Sequence, residues 1–503
     1  MFKLKAKLLV LTVKAVLTVL VVLVPLLGVW FASSLTAYFN GPIWLALIAG
    51  LLFFPVLPLL WDWRATVKWR QKQDDRDDEP SVESGLADTD DPPSGRILVF
   101  WDRLILRTLA VNLALLVALG WFFPQEGFTA LSARGDWMLD NAEGAWTEPV
   151  EDAIFATAEG LEFLHLAAHD NPFEEYADEE TVIPESTDRG RFDESGDGDE
   201  PSPADGDDEQ FRRGPMAWPP PDELHPVVDE IPASEETSIE SVAEYIAARE
   251  DDPFYRVKAL FDYVVSRVEY DVESLRGDDR APQDAQTVFE TQMAVCAGYA
   301  RLLIALAEVT GDEIVYITGV SRDNQGEIGG GGHAWNAAKI KGDWYLLDPT
   351  WGAGHVGDEF NRKYNPVYLF TPPEVLINTH FPSEEAWQLL ERPVSRSQFV
   401  RQPVLRAAFF SNRLDLIEPT RSQQRVGDEA RIVVDNPAGL HLRGRLVNDA
   451  GVDKRCDTTD KGDDRTAVSC DIPDSGTYHV QLFGGEERFE TMSLWGQIEV
   501  HGG

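Results

Sequence analysis

Three apolar runs crowd into the N-terminal region and limit what it can become. They extend from about Ala15 to Phe31, from about Pro42 to Trp61 and from about Thr108 to Phe123. Each approaches the length that crosses a bilayer, although the first and third need flanking residues to complete a crossing. A cleaved signal peptide is a poor account of the first run, because no small-residue cleavage site follows and a second apolar run comes at once. Lys3, Lys5, Lys7 and Lys14 precede the first run, Arg64 to Arg76 supply five basic residues after the second, and Arg96, Arg103 and Arg107 precede the third. The link from Ala32 to Gly41 carries no charge. The positive-inside rule then puts the N-terminus and the Arg64–Arg107 loop in the cytoplasm. With three crossings, everything after about Pro124 lies outside: an integral membrane protein with its later domains extracytoplasmic.

The sequence of 503 residues carries a net charge of −42. Such acidity fits a halophilic or salt-adapted source, where a charged surface maintains solubility; a cationic partner is the competing account. No long basic stretch occurs outside the membrane-flanking region, which argues against nucleic acid as a partner. Spans without buried charges offer no transport pathway. The partners expected are the membrane and a protein or peptide substrate in the cell envelope.

Residues 1–124 form the membrane region, with an acidic cytoplasmic loop at Asp74–Asp91. Residues 125–170 form a juxtamembrane helix, on the spacing of Ile154, Ala158, Leu161, Leu164 and Leu166. Residues 171–233 are rich in Asp, Glu, Gly and Pro, and read as an extended, disordered linker. A globular domain covers 234–395. It opens on a helix capped at Ser238 and continues with a helix over Pro253–Val268. A third helix covers Val295–Val309 and ends at Gly311. Strands follow at Glu313–Val320, His333–Ile340 and Asp343–Leu347. From 400 to 503 the period changes to alternation, which predicts an Ig-like β-sandwich. Cys456 and Cys470 flank a turn there; outside the cytoplasm they can pair, and two free buried thiols are the alternative.

The chemistry concentrates in Cys296, His333 and Asp348. Cys296 begins a helix, whose N-terminus favours a thiolate and offers N–H groups to an oxyanion. His333 opens one strand and Asp348 ends its neighbour, so a carboxylate can fix the tautomer of an imidazole that serves the thiol. Taken singly, each residue has a structural explanation; the joint placement points to thiol acyl transfer. Gln292 is a candidate oxyanion donor, and Trp335 and Trp351 are candidate groove residues. The glycine run Gly329–Gly332 precedes a strand rather than a helix, so it is no phosphate cradle, and reads as a mobile loop beside His333. His380 has no metal-ligand partner at suitable spacing and reads as structural. No Cys/His cluster or EF-hand spacing calls for a metal, and no cofactor is implied.

The strings Val295-Cys296-Ala297-Gly298-Tyr299-Ala300, His333-Ala334-Trp335-Asn336 and Trp344-Tyr345-Leu346-Leu347-Asp348-Pro349-Thr350-Trp351-Gly352 resemble the transglutaminase-like superfamily. The nearest resemblance is to the kyphoscoliosis peptidase group, related to cytokinesis transglutaminase-like proteins. Phe261-Asp262-Tyr263, Tyr270-Asp271, Tyr368 to Glu374 and His380-Phe381-Pro382 with Trp387 to Leu390 carry it further. The resemblance implies an α+β, papain-like core with Cys296 as nucleophile, His333 as base and acid, and Asp348 orienting His333. Ala294 and Tyr263 depart from the Gly and Trp common in relatives. The resulting expectation is a membrane-anchored thiol enzyme, a cysteine peptidase, amidase or transglutaminase-type acyltransferase, acting on protein or peptide amides. The alternative is a non-catalytic scaffold that binds an envelope or division partner.

Overall fold

The computed structural model describes residues 2–39, 43–77, 100–122, 124–139, 142, 146–166, 173–176, 216–276, 281–322, 326, 328, 332–356, 359–462, 464–485 and 492–502. Most of the acidic linker, most of the Asp74–Asp91 loop and Gly329–Gly331 lie outside them. The chain divides into two compact units, residues 1–167 and 168–503.

The first unit is helical: α1 (Phe2–Tyr38), α2 (Ile43–Leu51), α3 (Leu57–Asp77), α4 (Phe100–Phe122), α5 (Pro124–Arg134) and α6 (Thr147–Leu166). A π-turn at Leu52–Val56 joins α2 to α3. Pro55 explains it, since the residue before a proline is driven out of the helical region, and Phe54 sits at φ −151°, ψ 117°. Two stretches, Leu20–Tyr38 and Trp44–Lys68, are long and apolar enough to cross a membrane. The third apolar run does form a helix, but its first two turns hold Asp102, Arg103 and Arg107. Arg103 donates to Asp62 of α3 at 3.1 Å, and Arg107 pairs with the same carboxylate. The juxtamembrane region is two helices rather than one, with α6 starting at Thr147.

The second unit contains α7 (Pro226–Asp229), α8 (Ile239–Ala247), α9 (Pro253–Arg267), β1 (Glu269–Tyr270), α10 (Val272–Arg276), α11 (Ala285–Thr291), β2 (Met293–Ala294), α12 (Cys296–Thr310), β3 (Glu313–Ser321), β4 (His333–Ile340), β5 (Asp343–Leu347), α13 (Pro349–Ala353), β6 (Gly354–Val356), β7 (Phe360–Arg362), β8 (Leu369–Thr371) and β9 (His380–Pro382). Strands β8-β5-β4-β3-β9 form an antiparallel sheet. Leu302, Leu303 and Leu306 of α12 share one core with Val242, Ile246, Leu260 and Val264 of α8 and α9, and with Ala338 and Ile340 of β4. Asn336 fastens helix to sheet, donating from Nδ2 to Ala300 O at 3.2 Å and Val315 O at 3.1 Å.

The folded domain starts before Ser234. Met216, Val227, Val228 and Ile231 are buried in that same core, and Trp218 Nε1 donates to Val367 O. Lys258 and Asp262, both buried, hold this strap. Lys258 Nζ reaches Asp262, Glu223 O and Tyr364 Oη, while Asp262 accepts from His225 N at 2.7 Å. The linker assignment was therefore too long at its C-terminal end: a few spaced apolar anchors suffice to dock a Pro-rich, acidic strap.

Further along, the described residues form ten more strands: β10 (Val404–Leu405), β11 (Asp415–Glu418), β12 (Gln424–Val426), β13 (Glu429–Asp435), β14 (His441–Val447), β15 (Asp453–Arg455), β16 (Asp457–Gly462), β17 (Arg465–Asp471), β18 (Gly476–Gly485) and β19 (Ser493–Gly502). One sheet runs β10-β19-β18-β14-β15, with β12 also on β19; the other runs β11-β13-β17-β16. Ile432, Val434 and Val468 of one sheet share a core with Leu446, Val480 and Ile498 of the other. A disulfide joins Cys456 to Cys470.

Candidate active site

Cys296 is the first residue of α12, and its N-cap Val295 supplies no side-chain cap. Gly298 N and Tyr299 N both reach Val295 O, so the N–H groups of Cys296 and Ala297 are the ones without an intrahelical acceptor beside the sulfur. The thiol is free and 2% exposed. Gln283, 1% exposed, fixes the approach to this turn: its Oε1 accepts from Val295 N at 2.9 Å and its Nε2 donates to Ala281 O at 2.9 Å. Gly298 permits this closure, because a Cβ there would sit 2.6 Å from Gln283 Oε1.

His333 is the first residue of β4, and Asp348 directly follows β5. The β4–β5 register pairs Asn336 with Leu347, which draws the two ends together. His333 Nε2 lies 2.8 Å from Asp348 Oδ2, which leaves Nδ1 as the ring nitrogen available to Cys296, close enough for the sulfur to act electrostatically on the imidazole. Asp348 is fully buried and also caps α13: its Oδ1 accepts from Thr350 N at 2.8 Å and Trp351 N at 3.1 Å.

A fourth donor reaches the same carboxylate. His380 Nε2 lies 2.9 Å from Asp348 Oδ2, and its Nδ1 lies 2.8 Å from Thr379 Oγ1. A neutral imidazole protonated on Nε2 satisfies both contacts, donating to Asp348 and accepting from Thr379. Strand β9 delivers it: β3 pairs Gly319 with His333 on one side and with Pro382 on the other. Gly319 has to lack a side chain, since a Cβ would lie 2.2 Å from Phe381 O and 2.6 Å from the Trp335 ring. The reading of His380 as merely structural is thus corrected. Metal-ligand spacing was the wrong test; pairing with β3 puts His380 on Asp348.

The charges divide between the two imidazoles. Burial pulls the His333 imidazole down, but the Asp348 carboxylate, with Cys296, outweighs it and holds His333 well above the ordinary histidine range. Burial and the neighbouring His333 keep His380 below that range, against the pull of Asp348. Burial opposes the Asp348 charge, yet His333 and His380 hold its carboxyl well below the usual carboxylate range. The ligating atoms of His333, Asp348 and His380 lie within 4.8 Å of one another. Both Nε2 atoms sit at hydrogen-bond distance from Oδ2, and hydrogen bonds to the carboxylate account for the placement of both rings.

The remaining candidates divide. Trp351 is half-buried, with its ring 4.6 Å from His380 and 5.8 Å from His333. Trp335 is 1% exposed and stacks on His333 at 5.8 Å, so it supports the imidazole from beneath rather than lining an open groove. Gln292 is exposed in the left-handed C-cap of α11, where its N–H is bonded to Val288 O. The glutamine built into the Cys296 turn is Gln283, and its Nε2 is already bonded to Ala281 O.

A model of the transglutaminase-like superfamily matches residues 240–349, a span that contains Cys296, His333 and Asp348. Residues 240–349 are a transglutaminase-like domain. The curated relatives include kyphoscoliosis peptidase of Mus musculus, 33% identical over 192 residues, and that of Homo sapiens, 31% identical over 192. Each alignment covers 36% of this chain and 29% of the relative, so the chain spans less than a third of either relative's length. A solved structure of a cysteine-protease candidate from Cytophaga hutchinsonii aligns with 25% of this chain and 42% of its own, at 22% identity and a TM-score of 0.19, too slight a likeness to bear on the argument.

Proposed function

We propose that this chain is a membrane-anchored thiol enzyme acting on protein or peptide amides. The observation that carries the reading is the buried His333–Asp348 pair, whose carboxylate is saturated by four donors, within electrostatic reach of Cys296 at the start of α12. The Cys296 thiolate attacks the amide carbonyl carbon, and the first N–H groups of α12 stabilise the oxyanion. The C–N bond breaks as the His333 imidazolium passes its Nδ1 proton to the leaving amine, which leaves a thioester. Water or an amine then attacks; His333 takes its proton, and the sulfur departs as thiolate. Asp348 holds the His333 tautomer, and His380 holds Asp348. Water is the default acceptor, so hydrolysis leads over transamidation.

The topology proposed is three crossings, with the transglutaminase-like domain and the two-sheet β-domain outside and the latter read as an Ig-like sandwich. Three observations support it. Leu113, Val117 and Trp121 of α4 are 50%, 61% and 79% exposed, an apolar face suited to lipid. Asp62 pairs with both Arg103 and Arg107 at the end of α4 that this topology puts at the cytoplasmic interface, leaving a net positive charge there. The Cys456–Cys470 disulfide fits an oxidising compartment. Protease treatment of spheroplasts tests the topology: digestion of the C-terminal domains supports it, and their protection overturns it.

The burial of Cys296 favours the second reading, a non-catalytic scaffold. Activity separates the two. Full-length protein is incubated with envelope peptides and amine release is followed. The enzyme reading expects complete loss in Cys296→Ala, and turnover unchanged in Cys296→Ala sinks it.

A further inference from the structure

A short piece of chain far upstream in sequence packs into the same apolar cluster as the thiol. Phe173 is 1% exposed and shares an apolar cluster with Val295, Cys296, Ala297, Ala300, Tyr316 and Ala334. Tyr176 packs against the same cluster. Two hydrogen bonds to main-chain carbonyls hold the segment: Tyr316 Oη donates to Phe173 O at 3.2 Å, and Arg301 Nη1 donates to Tyr176 O at 2.8 Å. Glu174 and Glu175 between them are exposed. The docking is peptide-like in that one buried ring and two backbone carbonyls of the segment are held. Ala297, Ala300 and Ala334 leave the room that the ring takes. A thiol only 2% exposed has no access for a polypeptide carbonyl while this segment is in place.

We propose that residues 173–176 occupy the peptide-binding cleft of the site, so that the pocket filled by Phe173 is the subsite for an aromatic side chain of the substrate and the resting chain is held shut by its own segment. This rests on Cys296 being the nucleophile. Substrate entry requires the segment to leave.

The test follows alkylation of Cys296 by iodoacetamide in the full-length protein in detergent. With Cys456 and Cys470 disulfide-bonded, Cys296 is the one free thiol. Phe173→Ala removes a buried aromatic ring, and alkylation at pH 9 is expected to rise about tenfold to a hundredfold. The peptide Pro-Phe-Glu-Glu-Tyr added to that variant slows the reaction, whereas the peptide with Ala for Phe does not. If Phe173→Ala loses its thermal transition, the double variant Arg301→Gln/Tyr316→Phe, which removes the two hydrogen bonds and leaves the Phe173 ring in place, replaces it with the same expectation. Equal rates in wild type and folded variant, or no protection by the peptide, overturn the proposal. Repeating the reaction at pH 6 keeps the two readings apart. A variant that reacts fast at pH 9 but not at pH 6 upholds the cover and defeats the thiolate–imidazolium pair. A wild type as reactive as the variant at both values does the reverse.

Discussion

Replacing Asp348 by Asn preserves the shape of the site and removes its charge. Asn Oδ1 still accepts from Thr350 and Trp351, so α13 stays capped. The new Nδ2 group, however, meets two imidazole N–H donors at the positions of His333 and His380. Both rings must change tautomer. His380 can do so, because the Thr379 hydroxyl turns from donor to acceptor. His333 then carries its proton on Nδ1, facing Cys296, and has no lone pair there with which to take the thiol proton. The lost attraction is about 4 kcal/mol for charge centres roughly 4 Å apart at an effective dielectric constant of about 20. That corresponds to about three pH units at His333. The expected result is a fall in kcat/KM of about 10³–10⁴-fold, with the fold retained. The assay is amide hydrolysis by the full-length protein between pH 5 and 9, with a thermal melt as control. Activity within about tenfold of wild type, in a folded Asp348→Asn protein, refutes the role given to the carboxylate.

Three further outcomes follow from the same geometry. His380→Phe keeps the bulk and removes one charge-assisted donor worth about 1.5–3 kcal/mol, so kcat/KM falls about tenfold and the alkaline limb of its pH profile moves up as Asp348 pulls harder on His333; an unchanged limb assigns His380 to packing alone. Folding stability carries the His333–Asp348 pair as one interaction. Because the folded His333 pKa is raised, that stability is complete below about pH 6.5 and is lost as pH rises through the folded value; because the folded Asp348 pKa is depressed, stability begins to fall as pH drops below about 4. Urea titrations across pH, compared with Asp348→Asn, read this directly. Reducing the Cys456–Cys470 disulfide, or replacing both residues by Ser, lowers the stability of the β-domain by about 3 kcal/mol, as expected for a loop of roughly 15 residues, measured by denaturant unfolding of the purified chain.

Cys296, His333 and Asp348 were legible in the sequence because each stands at an element boundary that local pattern marks: a helix start, a strand start and a strand end. The helices capped at Ser238 and ended at Gly311 were legible for the same reason, as the Ser238 side chain accepts from Ser241 N at 3.1 Å and Gly311 takes φ +77°. His380 was not, because its role depends on β9 pairing with β3 across nearly sixty residues of chain, and nothing in Thr379-His380-Phe381-Pro382 announces that partner. Gln283 was missed for Gln292, which is nearer Cys296 in sequence; the chain turns back through α11 so that the more distant glutamine reaches the helix start. Phe173 and the 216–231 strap were hidden by composition. Acidic, Pro-rich surroundings read as solvated chain, yet one aromatic ring or a few aliphatic side chains per segment are enough to dock it on a core formed elsewhere.

The central claim is that Cys296 forms a thioester with an acyl group taken from an amide. The direct measurement is intact-protein and peptide mass spectrometry of full-length protein quenched in acid during turnover of an aromatic-containing peptide amide. The expected result is an acyl adduct on Cys296, present in wild type and accumulating when the acceptor is withheld or slow. An enzyme that turns the amide over with no adduct on Cys296, or that does so equally well as Cys296→Ala, contradicts it.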